Sequence, residues 1–484
     1  MTINSLEFAL FLGTVFFLYY FPLKEQTRAQ NILLLGASYV FYGIANWKMI
    51  PLLAVITGIF YGLGRAIGKA GDTKQGSLLT ALGVCLGLAL LLYFKYLNFF
   101  ISSFADLCTA LGLAVNRHTF NIIMPLGLSF FTFKLISYVV EVHDHTMEPE
   151  RDIISFAVYT AFFPALAAGP IDRPNVFLPQ LQAKRTFNYA LAVDGCRQML
   201  WGMAKKMLIA DKLAVATDTV WANIAASSGL NLLLTVFFYA LQLYADFSGY
   251  SDMAIGVGKL LGFRITRNFN YPFFGRTIAE YWRNWHISLT SWLTDYVFIP
   301  LHSRFHRLGK AGLILTTMIN FLLVGLWHGA NWTFAALGLY HGLLYIPLIL
   351  SGEFGKNRKR GFTLLGLPSL KDFAGMATTF TLVSFGLIMF RAENIVQAWD
   401  YVRHIADFSV PFTIAGIQGK KAVLLAAGMM ALEWYGFRHK MEYAFCAVTK
   451  LNTPCRYLIY LLLCLLVSMM LFGTNTQEFI YQQF

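Results

Sequence analysis

A histidine lies near the middle of a long stretch without charged residues. Residues 311–352 contain no Asp, Glu, Lys or Arg, and His328 stands among them in the sequence G-L-W-H-G-A-N-W. An ionisable side chain at membrane depth is costly, so a histidine in a spanning stretch is a functional hypothesis by default. Gly325 and Gly329 flank it and permit a helix break or a close backbone approach. His328 is therefore a candidate general base, and the alternative is a hydrogen-bonded packing histidine.

A second helix is predicted to follow this break. If the helix resumes near residue 330, four residues share one of its faces: Asn331, Gly338, His341 and Tyr345. Such a face suits the lining of a polar cavity, and the Asn331 amide could hold one tautomer of an imidazole. We expect Asn331, His341 and the neighbouring Trp327 to support the site around His328.

A tryptophan-rich segment covers residues 279–300. Its apolar residues recur at spacings of three and four and predict one helical face: Trp282, Trp285, Leu289 and Trp292. His286 lies on the adjacent strip and is the second candidate catalytic residue, with Trp285 as support. The alternative is an interfacial anchor that contains an incidental histidine.

Two carboxylates occur in the sequence Q-L-Y-A-D-F-S-G-Y-S-D, at Asp246 and Asp252. Residues six apart do not share a helical face, so this spacing argues against a paired acid and base. We predict that Asp246 supports the site without acting as a catalytic residue. We expect the two carboxylates to cap helices or to neutralise arginines such as Arg264 and Arg276, because buried charges are paired.

An apolar run is interrupted within residues 163–173, where Pro164, Gly169 and Pro170 occur. Broken helices at membrane depth are tolerated where they face protein or a water-filled cavity. Together with residues 125–144, this segment is interpreted as a re-entrant segment that shapes a tunnel.

The chain ends in F-I-Y-Q-Q-F, residues 479–484. A frayed end is one interpretation. Aromatic side chains prefer burial, however, so the alternative is a tail, residues 473–484, that folds back into an outward-facing funnel.

Composition places these residues in a membrane protein. The chain has 484 residues, of which 57% are hydrophobic and 13% charged, whereas soluble chains carry about 25% charged residues. We predict an all-α polytopic protein with one membrane domain over residues 1–484 and about 11 spans. The six cysteines lack C-x-x-C spacing, which argues against a disulfide framework and a zinc site.

We expect the excess of basic residues to lie in the loops between the membrane spans. Lys and Arg exceed Asp and Glu by 13, and the positive-inside rule accounts for this balance without nucleic acid. Basic clusters, among them Lys205, Lys206 and Lys212, fall in short gaps that are predicted to be cytoplasmic. Basic residues are absent before residue 8 and after Arg456, which predicts that both termini are extracytoplasmic.

The motifs together resemble the bacterial membrane-bound O-acyltransferases of the alginate O-acetylation type. The resemblance covers nearly the whole chain. It rests on N-I-L-L-L-G-A-S-Y-V-F-Y, F-F-P-A-L-A-A-G-P-I-D-R, Q-L-Y-A-D-F-S-G-Y-S-D-M-A-I-G, N-F-N-Y-P-F, E-Y-W-R-N-W-H-I-S-L-T-S-W-L-T-D-Y and G-L-W-H-G-A-N-W-T-F. It implies a ring of tilted helices, with re-entrant or interfacial helices, around a central funnel.

The resemblance also implies roles for residues. The family histidine maps onto His328 and its second histidine onto His286, while Thr294 stands where this branch usually has Arg. The ending resembles a terminal motif in which a tyrosine, here Tyr481, is the proposed acyl carrier. The implied donor is a cytoplasmic thioester, acetyl-CoA or an acyl carrier, with no bound cofactor. The implied partner is an extracytoplasmic SGNH-like acyltransferase that acts on a polymer.

Other classes fit parts of the pattern. Intramembrane histidines and broken helices also suit a transporter, although no repeated half is visible. Transfer of D-alanyl or long-chain acyl groups and a scaffold for a soluble transferase are further alternatives.

Overall fold

The computed structural model describes residues 1–113, 115, 119–356, 360–363, 366–407, 409–412, 420–472 and 477–480. Within these residues every regular element is a helix, and β-pairing is limited to an isolated bridge between Phe362 and Pro368. The prediction of an all-α protein is confirmed.

The helices follow one another along the chain. The first ten are α1 (Leu6–Tyr20), α2 (Thr27–Asn46), α3 (Ile50–Ala70), α4 (Lys74–Leu91), α5 (Leu97–Ala110), α6 (Leu128–His143), α7 (Ile153–Ala161), α8 (Phe163–Leu166), α9 (Pro174–Gln182) and α10 (Tyr189–Ala204). The others are α11 (Asp211–Trp221), α12 (Gly229–Leu260), α13 (Ile278–Trp282), α14 (Ile287–Leu293), α15 (Ile299–Phe305), α16 (Gly309–His328), α17 (Trp332–Leu350), α18 (Leu370–Arg391), α19 (Ile395–Ile405), α20 (Lys420–Arg438) and α21 (Thr453–Leu471). In the described part of the chain, three π-helical turns cover Leu92–Tyr96, Lys205–Ala210 and Thr294–Phe298.

Seven helical stretches of the described chain are long and apolar enough to cross a membrane. They are Thr27–Ala70, Lys74–Ala110, Gly229–Leu260, Ile287–His328, Trp332–Leu350, Leu370–Arg391 and Thr453–Leu471, while α1 is a shorter apolar helix. Three of these stretches contain more than one helix. The chain is thus a multi-pass membrane protein, and the number of 11 spans stays a prediction.

The chain forms two compact units. The first comprises residues 1–196 and 254–266 and contains the interrupted apolar run. Here α7 ends at Ala161, α8 makes a single turn, and the chain continues without helix to Pro174. The predicted interruption is confirmed, whereas its re-entrant character stays a prediction.

The second unit comprises residues 197–253 and 267–484. It contains the uncharged stretch 311–352, which folds as the hairpin of α16 and α17. At its open end, Lys310 Nζ donates a hydrogen bond to the Leu350 carbonyl over 2.7 Å. We call this element the histidine hairpin, because His328 is the last residue of α16.

One predicted loop is wrong. The sequence pattern assigns Lys205 and Lys206 to a basic cytoplasmic gap, but they begin a π-helical turn that continues α10 and are 2% and 1% exposed. Each lysine is paired with a carboxylate, Asp252 and Asp246 respectively, at 2.6 Å. These two lysines therefore do not support the cytoplasmic assignment of that segment.

Candidate active site

The tip of the histidine hairpin positions His328. Helix α16 ends there because the next residue, Gly329, is extended, with φ −169° and ψ 157°. Asn331 then caps α17, since its Oδ1 accepts a hydrogen bond from the Thr333 amide at 3.1 Å. The Asn331 Nδ2 donates to the Glu393 carbonyl at 2.7 Å, which fixes the tip against the chain that follows α18.

Glycines bring the two helices of the hairpin into backbone contact. A Cβ on Gly325 would lie 2.1 Å from the Phe334 carbonyl oxygen, and a Cβ on Gly338 would lie 2.3 Å from the Phe321 carbonyl oxygen. No other residue fits at these two positions without moving the helices apart. This contact occurs one helical turn before His328, so it fixes the depth and direction of the imidazole.

His286 lies in a break between α13 and α14. Its backbone is left-handed, with φ 46° and ψ 53°, and the residue is 0% exposed. A non-glycine residue in this conformation costs of order 1–3 kcal/mol, and such strain clusters at functional sites. The loop at Asn268 holds the break, since its carbonyl accepts from the Ile287 amide at 2.9 Å and its Oδ1 accepts from Ser288 Oγ at 2.7 Å.

The two histidines are brought together by aromatic rings. The Trp327 ring lies 5.4 Å from the His286 ring and 5.2 Å from the His328 ring, centroid to centroid. Phe247 packs on His286 at 4.7 Å and Phe390 packs on His328 at 5.3 Å. Both imidazoles are buried and close enough to interact electrostatically. Charges that develop at such a water-poor position are felt more strongly than in water.

A cavity of 440 Å³ lies next to this pair along the chain. Ile287, which follows His286, and Val324, one turn before His328, belong to its walls. Other lining residues are Trp282, Arg283, Thr294, Asp295, Phe321 and Tyr345. We call it the apolar cavity, and its volume lies within the range of about 300–1,000 Å³ typical of small-molecule sites.

A second cavity of 230 Å³ has polar walls. Arg391, which follows the Phe390 that packs on His328, lines it and forms an ion pair with Asp218. Its other walls include Lys206, Asp211, Gln242, Asp246 and the tail residues Gln477, Glu478 and Ile480. We call it the polar cavity. The walls of the apolar cavity thus come within one helical turn of the histidine pair, and those of the polar cavity include the residue next to Phe390.

Comparison with known proteins identifies the family of the chain. The profile of the membrane-bound O-acyltransferase family matches residues 150–351, which include both histidines. "Probable alginate O-acetylase AlgI" of Pseudomonas aeruginosa is 36% identical over 438 residues, which cover 89% of this chain and 80% of that protein. The chain belongs to the membrane-bound O-acyltransferase family. It is an O-acyltransferase.

Relatives with other acceptors in their names are also similar to this acyltransferase. The peptidoglycan O-acetyltransferase of Helicobacter pylori is 32% identical, with 79% of this chain and 75% of that protein covered. The teichoic acid D-alanyltransferase of Bacillus subtilis is 29% identical, with 56% of this chain and 70% of that protein covered.

The predicted support residues take different places in the acyltransferase. His341 Nδ1 accepts a hydrogen bond from Trp282 Nε1 at 3.3 Å, which ties α17 to a wall of the apolar cavity. Trp285 packs among aromatic rings, 5.4 Å from Tyr281. Asn331 binds two backbone groups, so it holds the hairpin tip and does not hold an imidazole tautomer, contrary to the sequence expectation.

Two sequence predictions about this region are wrong. Residues 279–292 do not form one continuous helical face, because the helix breaks after Trp282 and resumes at Ile287. Asp246 and Asp252 neutralise lysines, not Arg264 or Arg276. Arg276 instead pairs with Glu280, at 2.6 Å.

Sequence reasoning misses Lys206 and Asp211. Lys206 Nζ lies 3.0 Å from Asp211 Oδ1 and 2.6 Å from Asp246 Oδ1, and all three side chains line the polar cavity. The sequence signal that could have indicated their burial is a pair of lysines directly after an apolar helix. The same pattern is typical of a basic loop, so it does not decide between the two. Tyr481, the predicted acyl carrier, lies outside the described residues, the last of which are 477–480.

Proposed function

We propose that this acyltransferase moves an acyl group, acetyl in the first place, from a cytoplasmic thioester across the membrane to hydroxyls of an extracytoplasmic polysaccharide or cell-wall polymer. One observation carries the proposal: the buried histidine pair has neighbours in the walls of two cavities, Ile287 and Val324 in the apolar cavity and Arg391 in the polar cavity. The named acceptors of the relatives, alginate and peptidoglycan, support a polymer acceptor. Acetyl is favoured over D-alanyl because identity is higher to the O-acetylating relatives than to the D-alanyltransferase.

The apolar cavity suits the acyl donor. Its walls are mainly apolar, with the charged Arg283 and Asp295 among them. A thioester arm is a thin, largely apolar chain that carries a few polar groups, which fits a cavity of this kind. The reacting carbonyl would then lie at the end near Ile287 and Val324, beside the two imidazoles.

His328 would act as the general base. A ring nitrogen takes the proton of the attacking hydroxyl while the hydroxyl oxygen bonds to the thioester carbonyl carbon. A proton on His286 would stabilise the oxyanion that develops on the carbonyl oxygen. The carbon–sulfur bond then breaks, and the leaving thiolate takes the proton from the His328 imidazolium, so the products are an ester and a thiol.

Tyr481 is the proposed first acceptor. A phenol has a pKa of about 10, so a phenyl ester keeps much of the reactivity of a thioester, and onward transfer to a sugar hydroxyl runs downhill. The absence of basic residues after Arg456 supports an extracytoplasmic tail. A partner acyltransferase on that side, of SGNH-like or similar type, would complete transfer to the polymer, and the enzyme would lie in the bacterial inner membrane.

Replacement of His328 tests the function directly. We expect His328→Ala to lower thioester-dependent acylation by about 10²–10⁴-fold, the usual contribution of a general base. His306→Ala is the matched control, because His306 is exposed and its Nδ1 contacts the Ser303 carbonyl. Turnover at the wild-type rate in a folded His328→Ala protein would exclude the base role and favour a scaffold. A purified protein that makes no ester at all would favour a transporter.

The carrier role has its own test. Tyr481→Phe removes only the hydroxyl, so we expect polymer acylation to stop while the protein level stays unchanged. Mass spectrometry of the wild-type C-terminal peptide should show the acyl mass on Tyr481 and none on the Phe variant. Full polymer acylation by Tyr481→Phe would refute the relay and leave direct transfer.

A further inference from the structure

The last described residues of the chain are held by two buried side chains. Lys206 Nζ donates to the Glu478 carbonyl at 3.1 Å, and Asp246 Oδ2 accepts from the Ile480 amide at 2.9 Å. Phe479, between them, is 1% exposed, with its ring under the Lys206 ammonium at 4.3 Å. Each residue from 478 to 480 therefore has a contact with the same charged pair.

Lys206 and Asp246 each form hydrogen bonds both to each other and to the tail. An ammonium has three protons, and Lys206 Nζ lies within 3.1 Å of Asp246, Asp211 and the Glu478 carbonyl. One Asp246 oxygen accepts from Lys206 and the other from the Ile480 amide. A buried charge that lacks a partner is strongly destabilising, so the docked tail completes the coordination of both groups.

Lys206 and Asp246 lie on elements close to the histidine site. Lys206 lies in a π-helical turn, an element that is frequent at functional sites. Asp246 directly precedes Phe247, whose ring packs on His286. The tail is thus anchored to the same turn of α12 that contacts a candidate catalytic residue.

We infer that Lys206 and Asp246 form an anchor that holds the main chain of residues 478–480, so that the chain continues to Tyr481 from a fixed point on the turn of α12 that contacts His286. They are positioning residues, and this inference rests on the proposed role of Tyr481. The anchor binds the peptide main chain of Glu478 and Ile480 and the aromatic ring of Phe479.

Thiol labelling measures the anchor without reference to activity. The six native cysteines are replaced and Ile480→Cys is introduced, which keeps the amide that donates to Asp246. Ile480 is half-buried in the docked tail, so release of the tail should raise the rate of reaction with a membrane-impermeant maleimide. Lys206→Met should raise this rate at least about tenfold, the factor expected for one lost hydrogen bond to a charged group.

The control is the neighbouring lysine. Lys205→Met also breaks a buried ion pair in the same turn, at 2.6 Å from Asp252, but the contacts of Lys205 are with Ser248 and Asp252. It should leave the labelling rate unchanged, and Lys206→Arg, which keeps the cation, should restore slow labelling. Equal rates in the Lys206→Met and Lys205→Met proteins would overturn the anchor.

A tail-side variant covers the case in which Lys206→Met does not fold. Phe479→Ala removes the ring beneath the ammonium and leaves the core pair intact, whereas Phe472→Ala changes a ring that is 78% exposed. Only the first should speed labelling, and no change in it would also overturn the anchor.

Acylation of the polymer is measured in the same variants. Fast labelling together with lost acylation, both restored by Lys206→Arg, supports the anchor and its positioning role. Fast labelling with full acylation overturns the positioning role while the anchor as a docking site stands, and the Tyr481 relay is decided separately by the Tyr481→Phe protein. Failure of the inference and failure of the proposed function are thereby distinguished.

Discussion

Gly325 offers a perturbation of the site that touches neither histidine. In Gly325→Ala the new Cβ would lie 2.1 Å from the Phe334 carbonyl oxygen and 2.8 Å from the Gly338 nitrogen. Ordinary contact begins at 3.4 Å, so the helices of the histidine hairpin must separate by about 1.3 Å at this point. Because both obstructing atoms are backbone, no side-chain rotation can relieve the clash.

The effect on catalysis depends on the position of this contact, one turn before His328 in α16. A misplacement of 1 Å at a reacting group can cost about 10²-fold in rate. We therefore expect Gly325→Ala to lower acylation by about 10²-fold, and overpacking of this kind also destabilises by about 1–3 kcal/mol. Polymer acylation in cells and thermal unfolding of the purified protein in detergent measure the two effects.

Gly428 provides the matched control. It lies within α20, and a Cβ added there meets nothing within 4 Å. Gly428→Ala should keep full acylation and should stabilise the protein by up to about 1 kcal/mol, since Ala is the better helix former. If Gly325→Ala folds and transfers acyl groups at the wild-type rate, the backbone contact of the hairpin does not position His328, and the reasoning is wrong.

Three further predictions concern the surroundings of the site. His286→Ala and His286→Asn should both lose at least about tenfold in acylation, but thermal unfolding should favour the Asn variant, since Asn tolerates the left-handed backbone. Trp282→Phe removes the donor to His341 and should destabilise the protein by about 1–3 kcal/mol in the same measurement. Burial raises the pKa of Glu280, but its hydrogen bonds from Arg276 outweigh burial, so its pKa is lowered from the ordinary 4.5. The ion pair of Glu280 therefore stabilises the folded protein above about pH 4.5, and this stabilisation is lost as the pH falls through the lower pKa of the folded state. The free energy of unfolding of Glu280→Gln should accordingly change less with pH in the acid range than that of the wild type.

The histidine hairpin could be predicted because its signals are local. An uncharged stretch of this length requires two passes, and Gly329 lies where the chain turns. Burial of His328 is expected from the same pattern, since a side chain at the end of an apolar helix that turns back on itself has little access to water. Nothing outside residues 311–352 was needed for this part of the site.

The break at His286 could not be predicted in the same way. The spacing of the tryptophans matches one helical face, and local periodicity therefore favours an unbroken helix. The break is imposed by a tertiary partner, Asn268, whose carbonyl and side-chain oxygen bind the first residues of α14. The positive φ of His286 has only a weak sequence signal, because few non-glycine residues adopt such a φ even though histidine is enriched among them.

The lysine prediction is wrong for a related reason. A basic pair in an apolar sequence ordinarily indicates a loop at the membrane surface, but Lys205 and Lys206 find carboxylates on α12, about 40 residues further along the chain. Such pairs between residues far apart in the sequence can be recognised only once the packing of the two helices is known. It also changes the interpretation of Asp246, which takes part in holding the tail and not in capping a helix.

Helix α12 explains how one element can serve two parts of a transfer reaction. Consecutive residues of an α-helix point about 100° apart, and here Asp246 faces the tail while Phe247 faces His286. A single peptide unit of a long helix therefore sets the distance between the anchored tail and the histidine pair. A site built on a helix is held more precisely than one built on a loop. For the Tyr481 carrier proposed above, the contacts to the main chain of residues 478–480 would supply a rigid starting point for each transfer.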